Sequence, residues 1–430
     1  MQKNSENSLV PAQNKGFLAV LFLSPPPNNE NLVDWYWRRV AGVPFLLRNV
    51  LNIQRGGVSH LILFAGNEPK SVAKLHNRIS QDPRVTLQLE HISDSQELRQ
   101  ATQVPPDLLF LDGSGLYEKT QIRSAIGQRQ DAGNNGVHAS LCLDKESMAS
   151  LLELKDTFDF ARLERMREQS VNTTSQSPDS EKKSLLYFPE ANHPRISKES
   201  DFELEGERII QKSGGLSNDS LATRLLSRPV SKLMTRLLIN TRFTPNQITV
   251  LSFILGLGSA FSFFQGGYQM GLMGAGLLLA SIWVDGVDGE IARIKFMESE
   301  FGGKLDILCD NIVHIAVFFS IGMGLFHTHG AVVYIVLGAL AAIGSLISFL
   351  MIGAAVTAGK AQANAVDAKN SKKSDFVDKL ANRDFTHFLF VLALIDRLDV
   401  FLWLTAIGVN LLSVYLLFLR RRSSPVATEV

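Results

Sequence analysis

The stretch MGLMGAGLLLASIWVDGVDGEIARI, Met270–Ile294, opens as an uncharged apolar run and closes with Asp285, Asp288, Glu290 and Arg293. A helix needs about 20 predominantly apolar residues to cross a bilayer core, so this stretch reads as a membrane span with its carboxylates at one end. On that helix Asp285, Asp288, Gly289 and Ala292 fall three, four and seven apart and share one stripe. Immediately downstream, Gly302, Asp306 and Asp310 repeat every fourth residue and form a stripe on the next apolar segment. If the two stripes face each other, four carboxylates converge. An ionised carboxylate inside a membrane helix costs on the order of 3 kcal/mol, and gathering like charges adds to that cost. Bound divalent cations resolve the conflict.

Ligation by Asp oxygens alone, with no Cys or His in the stripe, favours a hard ion, so two Mg²⁺ ions are expected, with Mn²⁺ the second choice and zinc disfavoured. Two such ions suit a pyrophosphate substrate, because together they neutralise the transferring phosphoryl and the leaving phosphate. Gly289, Ala292 and Gly302 keep the stripe free of bulk, and Arg293 can form charge-assisted hydrogen bonds to phosphate.

Outward from this stretch, six membrane segments are expected: Ile248–Phe264, Met270–Ile294, Gly303–Phe326, Ala331–Ala355, Phe385–Ile395 and Val400–Leu419, the fifth beginning earlier, around Phe376. Lys360, Lys369, Lys372, Lys373, Lys379 and Arg383 fill one loop, and Arg420–Arg422 follow the last span. Gln265–Gln269 and His327–Gly330 carry no Lys or Arg. The positive-inside bias therefore predicts an integral protein of the cytoplasmic membrane, with both termini, the basic loop and the acidic site on the cytoplasmic side. Ahead of the first span, Leu221, Leu225, Val230, Leu233 and Leu237 alternate with Arg224, Arg228, Lys232 and Arg236. Ser217–Leu238 thus reads as an amphipathic helix lying along the membrane surface.

Before about Asn246 the composition is that of a soluble protein. Phe17–Leu23, His60–Phe64, Asp107–Leu111 and His138–Leu143 read as strands separated by amphipathic stretches such as Trp37–Gln54, the pattern of an α/β domain with a mainly parallel, Rossmann-like sheet. Phe17–Leu23 is too short to span a bilayer, and what precedes it does not look like a signal sequence. Residues 168–183 offer little to bury and read as a mobile loop. The expected division is a soluble domain at 1–213, a juxtamembrane helix at 214–243, an all-α membrane domain at 244–422 and a tail at 423–430. At 430 residues the chain has room for these parts, and its net charge of +1 implies no bulk attraction to nucleic acid. Cys142 and Cys309 lie too far apart in sequence to suggest a disulfide framework or zinc spacing.

The run Asp285, Asp288, Gly289, Ala292, Arg293, then Gly302, Asp306 and Asp310, resembles the CDP-alcohol phosphotransferase signature at every position, and Thr244-Pro-Asn246-Gln-Ile-Thr249 is similar to what precedes it in that family. The resemblance covers Gly215–Arg422. It implies transfer of a phosphoalcohol group, of phosphatidyl or inositol-phosphate type, from a CDP-linked donor to an acceptor hydroxyl with release of CMP, in phospholipid or polyol-phosphate biosynthesis. It further implies that Asp285, Asp288 and Asp306 ligate metal, that Asp310 both touches metal and acts as general base, and that Asn246, Thr249, Gly289, Ala292, Arg293, Ser299 and Gly302 contact the CDP moiety. A homodimer is implied as well. A base at the far end of the stripe agrees with in-line approach of the acceptor opposite CMP. Lys360, Arg383 and Arg420 are candidates for an anion pocket holding an acceptor such as an inositol phosphate or glycerol phosphate; positive-inside anchoring explains them equally well. His314 and Cys309 are expected to serve packing.

In the first half, Ala41–Leu51, Gly57-Val58 and Leu61–Gly66 look like the middle of a sugar-phosphate nucleotidyltransferase domain. That family carries a glycine-rich, basic phosphate loop after its first strand. Here the place reads LFLSPPPNN, Leu21–Asn29, with no glycine and three prolines that offer no N–H to phosphate. Asp112, where that family places a metal ligand, reads here as a turn residue before Gly113. The two halves together resemble the bifunctional inositol-phosphate cytidylyltransferase and di-inositol-phosphate phosphate synthase enzymes, with the soluble half expected to be catalytically silent. A bifunctional enzyme that makes its own CDP-polyol from CTP is the alternative. A non-catalytic membrane scaffold is the rival from another class, and the complete set of four aspartates argues against it.

Overall fold

The computed structural model describes residues 17–66, 68–102, 107–131, 140–143, 184–187, 194–213, 223–362 and 385–423. The chain divides into two compact units, Met1–Glu207 and Arg208–Val430.

The first unit is built on a six-stranded sheet. Its central strand β1 (Phe17–Phe22) pairs in parallel with β4 (Val58–Phe64) and β6 (Asp107–Asp112). β4 pairs in parallel with β5 (Gln88–Ile92), and β6 with β8 (Ser184–Tyr187). β7 (Ser140–Leu143) runs antiparallel on the far edge of β8. The mainly parallel sheet expected from the sequence is present. Ala19, Val20 and Leu21 of β1 are fully buried, as expected of a strand covered on both faces, which tolerates a continuous apolar run. The helices of this unit are α1 (Leu32–Trp37), α2 (Phe45–Gly56), α3 (Pro69–Ser80), α4 (Ser95–Thr102), α5 (Lys119–Asp131) and α6 (Glu199–Ser213), the last running on into the second unit.

The amphipathic stretch Trp37–Gln54 is not one helix. A short hairpin of β2 (Arg39–Val40) and β3 (Val43–Pro44) separates α1 from α2. Ala41 and Gly42 turn it with φ of 46° and 78°, positive at both central positions as a type I′ hairpin turn requires. β5 and β8 were not expected as strands. β5 is an edge strand whose residues are mostly half-buried or exposed, so it carries no clean alternation. β8 has four residues, fewer than a periodicity argument needs.

After the end of α6, the described part of the second unit has a π-type turn at Thr223–Ser227 and continues as α7 (Arg228–Leu238), α8 (Pro245–Gln265), α9 (Tyr268–Lys295), α10 (Glu300–His329), α11 (Val333–Gln362), α12 (Phe385–Leu394) and α13 (Leu398–Ser423). Among the described residues, α8, α9, α10, α11 and α13 are long and apolar enough to cross a membrane, and α12 is a shorter apolar helix. The chain is a multi-pass membrane protein. The start of the fifth segment near Phe376 lies outside the described residues. The bundle interior is formed by Ala260, Phe263, Ala275, Leu278, Val317 and Phe318, packed against Leu337, Leu389 and Phe401, while Phe261, Ile343 and Leu411 face outward as lipid-facing side chains do.

Helices α10 and α11 cross with backbones nearly touching. A Cβ on Gly322 would lie 2.6 Å from the Tyr334 carbonyl oxygen and 2.8 Å from Gly338 Cα. Backbone cannot step aside as a side chain can, so Gly322→Ala is expected to cost about 1–3 kcal/mol, the usual range for overpacking. The measurement is a lowered melting temperature of the detergent-solubilised protein; an unchanged melting temperature would contradict the crossing.

In α7 two uncharged polar side chains face inward, while Arg236 is exposed. Ser231 and Thr235 are buried, while Leu233 and Leu237, with Leu225 just ahead, are exposed. Residues 217–222, the first part of the expected amphipathic helix, lie outside the described residues.

Candidate functional site

Helix α8 begins at a capping box in which the Thr244 hydroxyl accepts from the Gln247 N–H and the Gln247 side chain accepts from the Thr244 N–H. The Thr-Pro-Asn-Gln sequence thus fixes where the helix starts, and with it the position of Asn246 and Thr249. Two hydroxyl bonds hold α8 against α9: Ser259 to the Gly274 carbonyl at 2.7 Å and Ser281 to the Ser252 carbonyl at 2.7 Å. In a bilayer such small polar contacts carry helix association that lipid does not drive.

Helix α9 ends at Phe296, whose φ of 59° reverses the chain, and α10 starts at Ser299, whose hydroxyl caps it by accepting from the Gly302 N–H at 3.0 Å. This short turn brings the ends of the two helices together. Asp285 and Asp288 on α9 and Asp306 on α10 each offer a carboxylate oxygen, and those atoms lie within 4.8 Å of one another. Asp285 and Asp288 are 6% and 7% exposed. Asp310 lies one turn beyond Asp306, partly buried, and is not in that mutually close group. The Thr249 hydroxyl is hydrogen-bonded to Asp288 Oδ2 and lies 3.2 Å from the Pro245 carbonyl oxygen.

The donor set fits a hard divalent ion. Every ligand atom in the group is a carboxylate oxygen, and three such groups this close, two of them nearly shielded from water, suit a hard cation placed among them. Two glycines on these helices, Gly289 and Gly302, let other side chains come close to the backbone. A Cβ on Gly302 would meet Asn246 Oδ1 at 2.9 Å and Ser299 Oγ at 3.0 Å, so residues from the start of α8, the interhelical turn and α10 meet at one place. Over Gly289 lies the Arg293 guanidinium, 3.2 Å from where a Cβ would stand. Arg293 is exposed and donates to the Ser213 carbonyl at 3.3 Å. Ala292 is half-buried one turn along from Asp288.

The remaining candidates fall apart from this group. The His314 ring lies against those of Phe318 and Phe385, and Cys309 is buried on α10, the packing surroundings expected for both. Lys360 and Arg420 lie on α11 and α13, but their side chains, and all of Arg383, are outside the described residues. Sequence reading passed over Glu290. It is fully buried and accepts from Arg228, Ser231 and Thr235 of α7. The available signal was a second kind of acid inside the motif run, off the aspartate stripe.

In the first unit, Asp112 is consumed by its own turn. Its Oδ1 accepts from the Ser114 N–H at 2.9 Å and the Ser24 hydroxyl at 3.3 Å, and its Oδ2 from the Ser114 hydroxyl at 2.7 Å. The loop after β1 is tied down as well, with the Tyr36 hydroxyl donating to the Ser24 carbonyl at 3.1 Å and the Gly113 N–H to the Phe22 carbonyl at 2.6 Å. Burial first, and the nearby Asp112 charge second, raise the Tyr36 and Tyr117 phenols well above their ordinary range, so both stay protonated.

Residues 242–374 match the profile of the CDP-alcohol phosphatidyltransferase family. The chain is 26% identical over 330 residues to the bifunctional IPC transferase and DIPP synthase of Aquifex aeolicus, covering 67% of this chain and 72% of that protein. It is 32% identical over 108 residues to the phosphatidylinositol phosphate synthase of Corynebacterium glutamicum, covering 25% of this chain and 47% of that protein. The solved phosphatidylinositol phosphate synthase of Mycobacterium tuberculosis with CDP-DAG bound aligns at a TM-score of 0.32 with 20% identity, over 48% of this chain and 98% of that one. That last likeness is too slight to decide anything about the site.

Proposed function

We propose that this chain, whose membrane unit carries a CDP-alcohol phosphotransferase family domain, moves an inositol-phosphate or phosphatidyl type group from a CDP-linked donor to an acceptor hydroxyl and releases CMP. The observation that carries the reading is the convergence of Asp285, Asp288 and Asp306 to within 4.8 Å. These residues, with Asp310, would hold two Mg²⁺ or Mn²⁺ ions. When bound, such ions supply charge neutralisation for a diphosphate and for its leaving phosphate. Thr249 orients Asp288 from the side. Asn246, Ser299 and Gly302 form one wall of the CDP site and Gly289 with Ala292 the other, where small residues let a nucleotide approach the helix backbones. Arg293 turns from the Ser213 carbonyl to phosphate, a stronger, charge-assisted partner. Asp310, one turn along α10, takes the proton of the incoming hydroxyl. Lys360, Arg383 and Arg420, whose side chains lie outside the described residues, are the candidates to hold a phosphorylated acceptor, and similarity to a phosphatidylinositol phosphate synthase supports an inositol phosphate as that acceptor. The site opens to the cytoplasmic side, and the chain works as a homodimer.

The test is CMP release by the full chain in detergent, with Mg²⁺ and a panel of CDP-alcohols and acceptors. Release that requires donor, acceptor and Mg²⁺ together supports the reading; none with any pair overturns it. Thr249→Val removes the hydroxyl and keeps the shape. It is expected to raise the Mg²⁺ concentration for half-maximal release about tenfold, the low end for a lost partner of a metal ligand, and an unchanged Mg²⁺ titration would remove Thr249 from the site.

A second reading, in which the soluble unit makes the CDP donor from CTP, is favoured by the Aquifex match, whose 330 residues extend beyond the membrane unit. Asp112 engaged by Ser24 and Ser114 speaks against it. The full chain given CTP, Mg²⁺ and inositol phosphate is expected to release no pyrophosphate, and release would establish the bifunctional enzyme.

A further inference from the structure

Glu290 sits within the motif run yet points away from its carboxylates. At about 100° per residue it stands roughly 200° around α9 from Asp288 and roughly 140° from Asp285. It is 0% exposed. Its Oε1 accepts from Arg228 Nη1 at 3.0 Å and from the Ser231 hydroxyl at 3.1 Å, and its Oε2 accepts from the Thr235 hydroxyl at 2.7 Å. Arg228, Ser231 and Thr235 are three, four and seven apart, so they form one face of α7. That buried face is polar, while Leu233 and Leu237 are exposed together with Arg236.

A surface helix packed on its own domain would bury an apolar face instead. Apolar contact does not discriminate helix from lipid, so what holds α7 in place is the polar grip on Glu290. A second pin lies just beyond, where Lys295 Nζ donates to the Thr241 carbonyl at 2.9 Å. On the opposite side of α9, Asp285 and Asp288 repel each other and Asp306, which favours rotation of α9 away from α10. A grip from behind opposes that rotation.

We propose that Glu290 is a positioning residue, which with Arg228, Ser231 and Thr235 fixes the rotation of α9 and so keeps Asp285 and Asp288 aimed at Asp306. This rests on the metal-site reading above. The juxtamembrane helix is therefore part of the site's scaffold as well as a lead-in to the first span.

The experiment measures Mn²⁺ uptake by the full chain in detergent micelles, from the loss of the free-ion paramagnetic resonance signal, for wild type, Asp285→Asn, Thr235→Val, Thr235→Ser and Glu290→Gln. Thr235→Val keeps the side-chain shape and is the variant most certain to fold; monodispersity and helix content are checked for each. Thr235→Val and Glu290→Gln are expected to bind Mn²⁺ about tenfold more weakly, the scale found when support behind a metal ligand is lost, and Thr235→Ser to bind as wild type. In CMP release, kcat is expected to fall with KM for the donor unchanged. Folded Thr235→Val that binds Mn²⁺ as tightly as wild type overturns the positioning role. Wild type that takes up no Mn²⁺, or Asp285→Asn that binds normally, overturns the metal-site reading itself and the positioning role with it, so the two failures are distinguishable.

Discussion

Asp288→Asn is expected to lower CMP release by on the order of 10³-fold or more, since a ligated metal supplies several kcal/mol of transition-state stabilisation and each 1.4 kcal/mol is a factor of ten. The substitution preserves shape and removes one charge from a group of three carboxylates within 4.8 Å. It therefore has a second, opposite consequence. With a chelator present, no cation offsets the repulsion among these carboxylates, and an Asn at 288 can still accept from the Thr249 hydroxyl, so the variant should melt at a higher temperature than wild type; with saturating Mg²⁺ the order should reverse. An inactive variant with the same melting behaviour as wild type in both conditions would mean that the three carboxylates do not share an ion. Retained turnover would remove Asp288 from the chemistry altogether.

Asp310→Asn should behave differently. Asp310 lies one helical turn beyond Asp306 and outside the mutually close trio, so its loss should leave the three carboxylates that carry most of the metal binding in place while removing the group that accepts the hydroxyl proton. Transfer is expected to fall by about 10²–10⁴-fold, the range for a general base, with Mn²⁺ uptake and binding of a CDP-alcohol near wild type. Loss of Mn²⁺ uptake along with transfer would mean that the metal role of Asp310 by itself accounts for the defect and would remove the support for a base, and full transfer would end the assignment. The two variants together divide the site into a part that binds and a part that moves a proton.

Much of the architecture was legible because the signals are periodic and long. The apolar segments that became α8, α9, α10, α11 and α13 exceed any length a soluble core requires, and the runs that became β1, β4 and β6 are continuous because parallel strands are covered on both faces. What escaped was short or local. The hairpin inside Trp37–Gln54 rests on two residues, Ala41 and Gly42, at positive φ, and helical periodicity on either side conceals it. β8 has four residues, and β5 is an edge strand without alternation. Asp112 read as a turn residue because Gly113 follows it, and its carboxylate is indeed spent on Ser24 and Ser114.

By itself the sequence determined that two neighbouring helices each carry a stripe of carboxylates, because spacing of three and four residues sets which side chains share a face whatever surrounds the helix. It could not determine whether the stripes meet. That depends on the rotation of α9 about its own axis, and in a bilayer rotation is decided by a few polar contacts between helices distant in sequence, such as Thr249 on Asp288 and the Arg228, Ser231 and Thr235 grip on Glu290. Only the tertiary structure holds those contacts, since each joins residues that no local pattern relates.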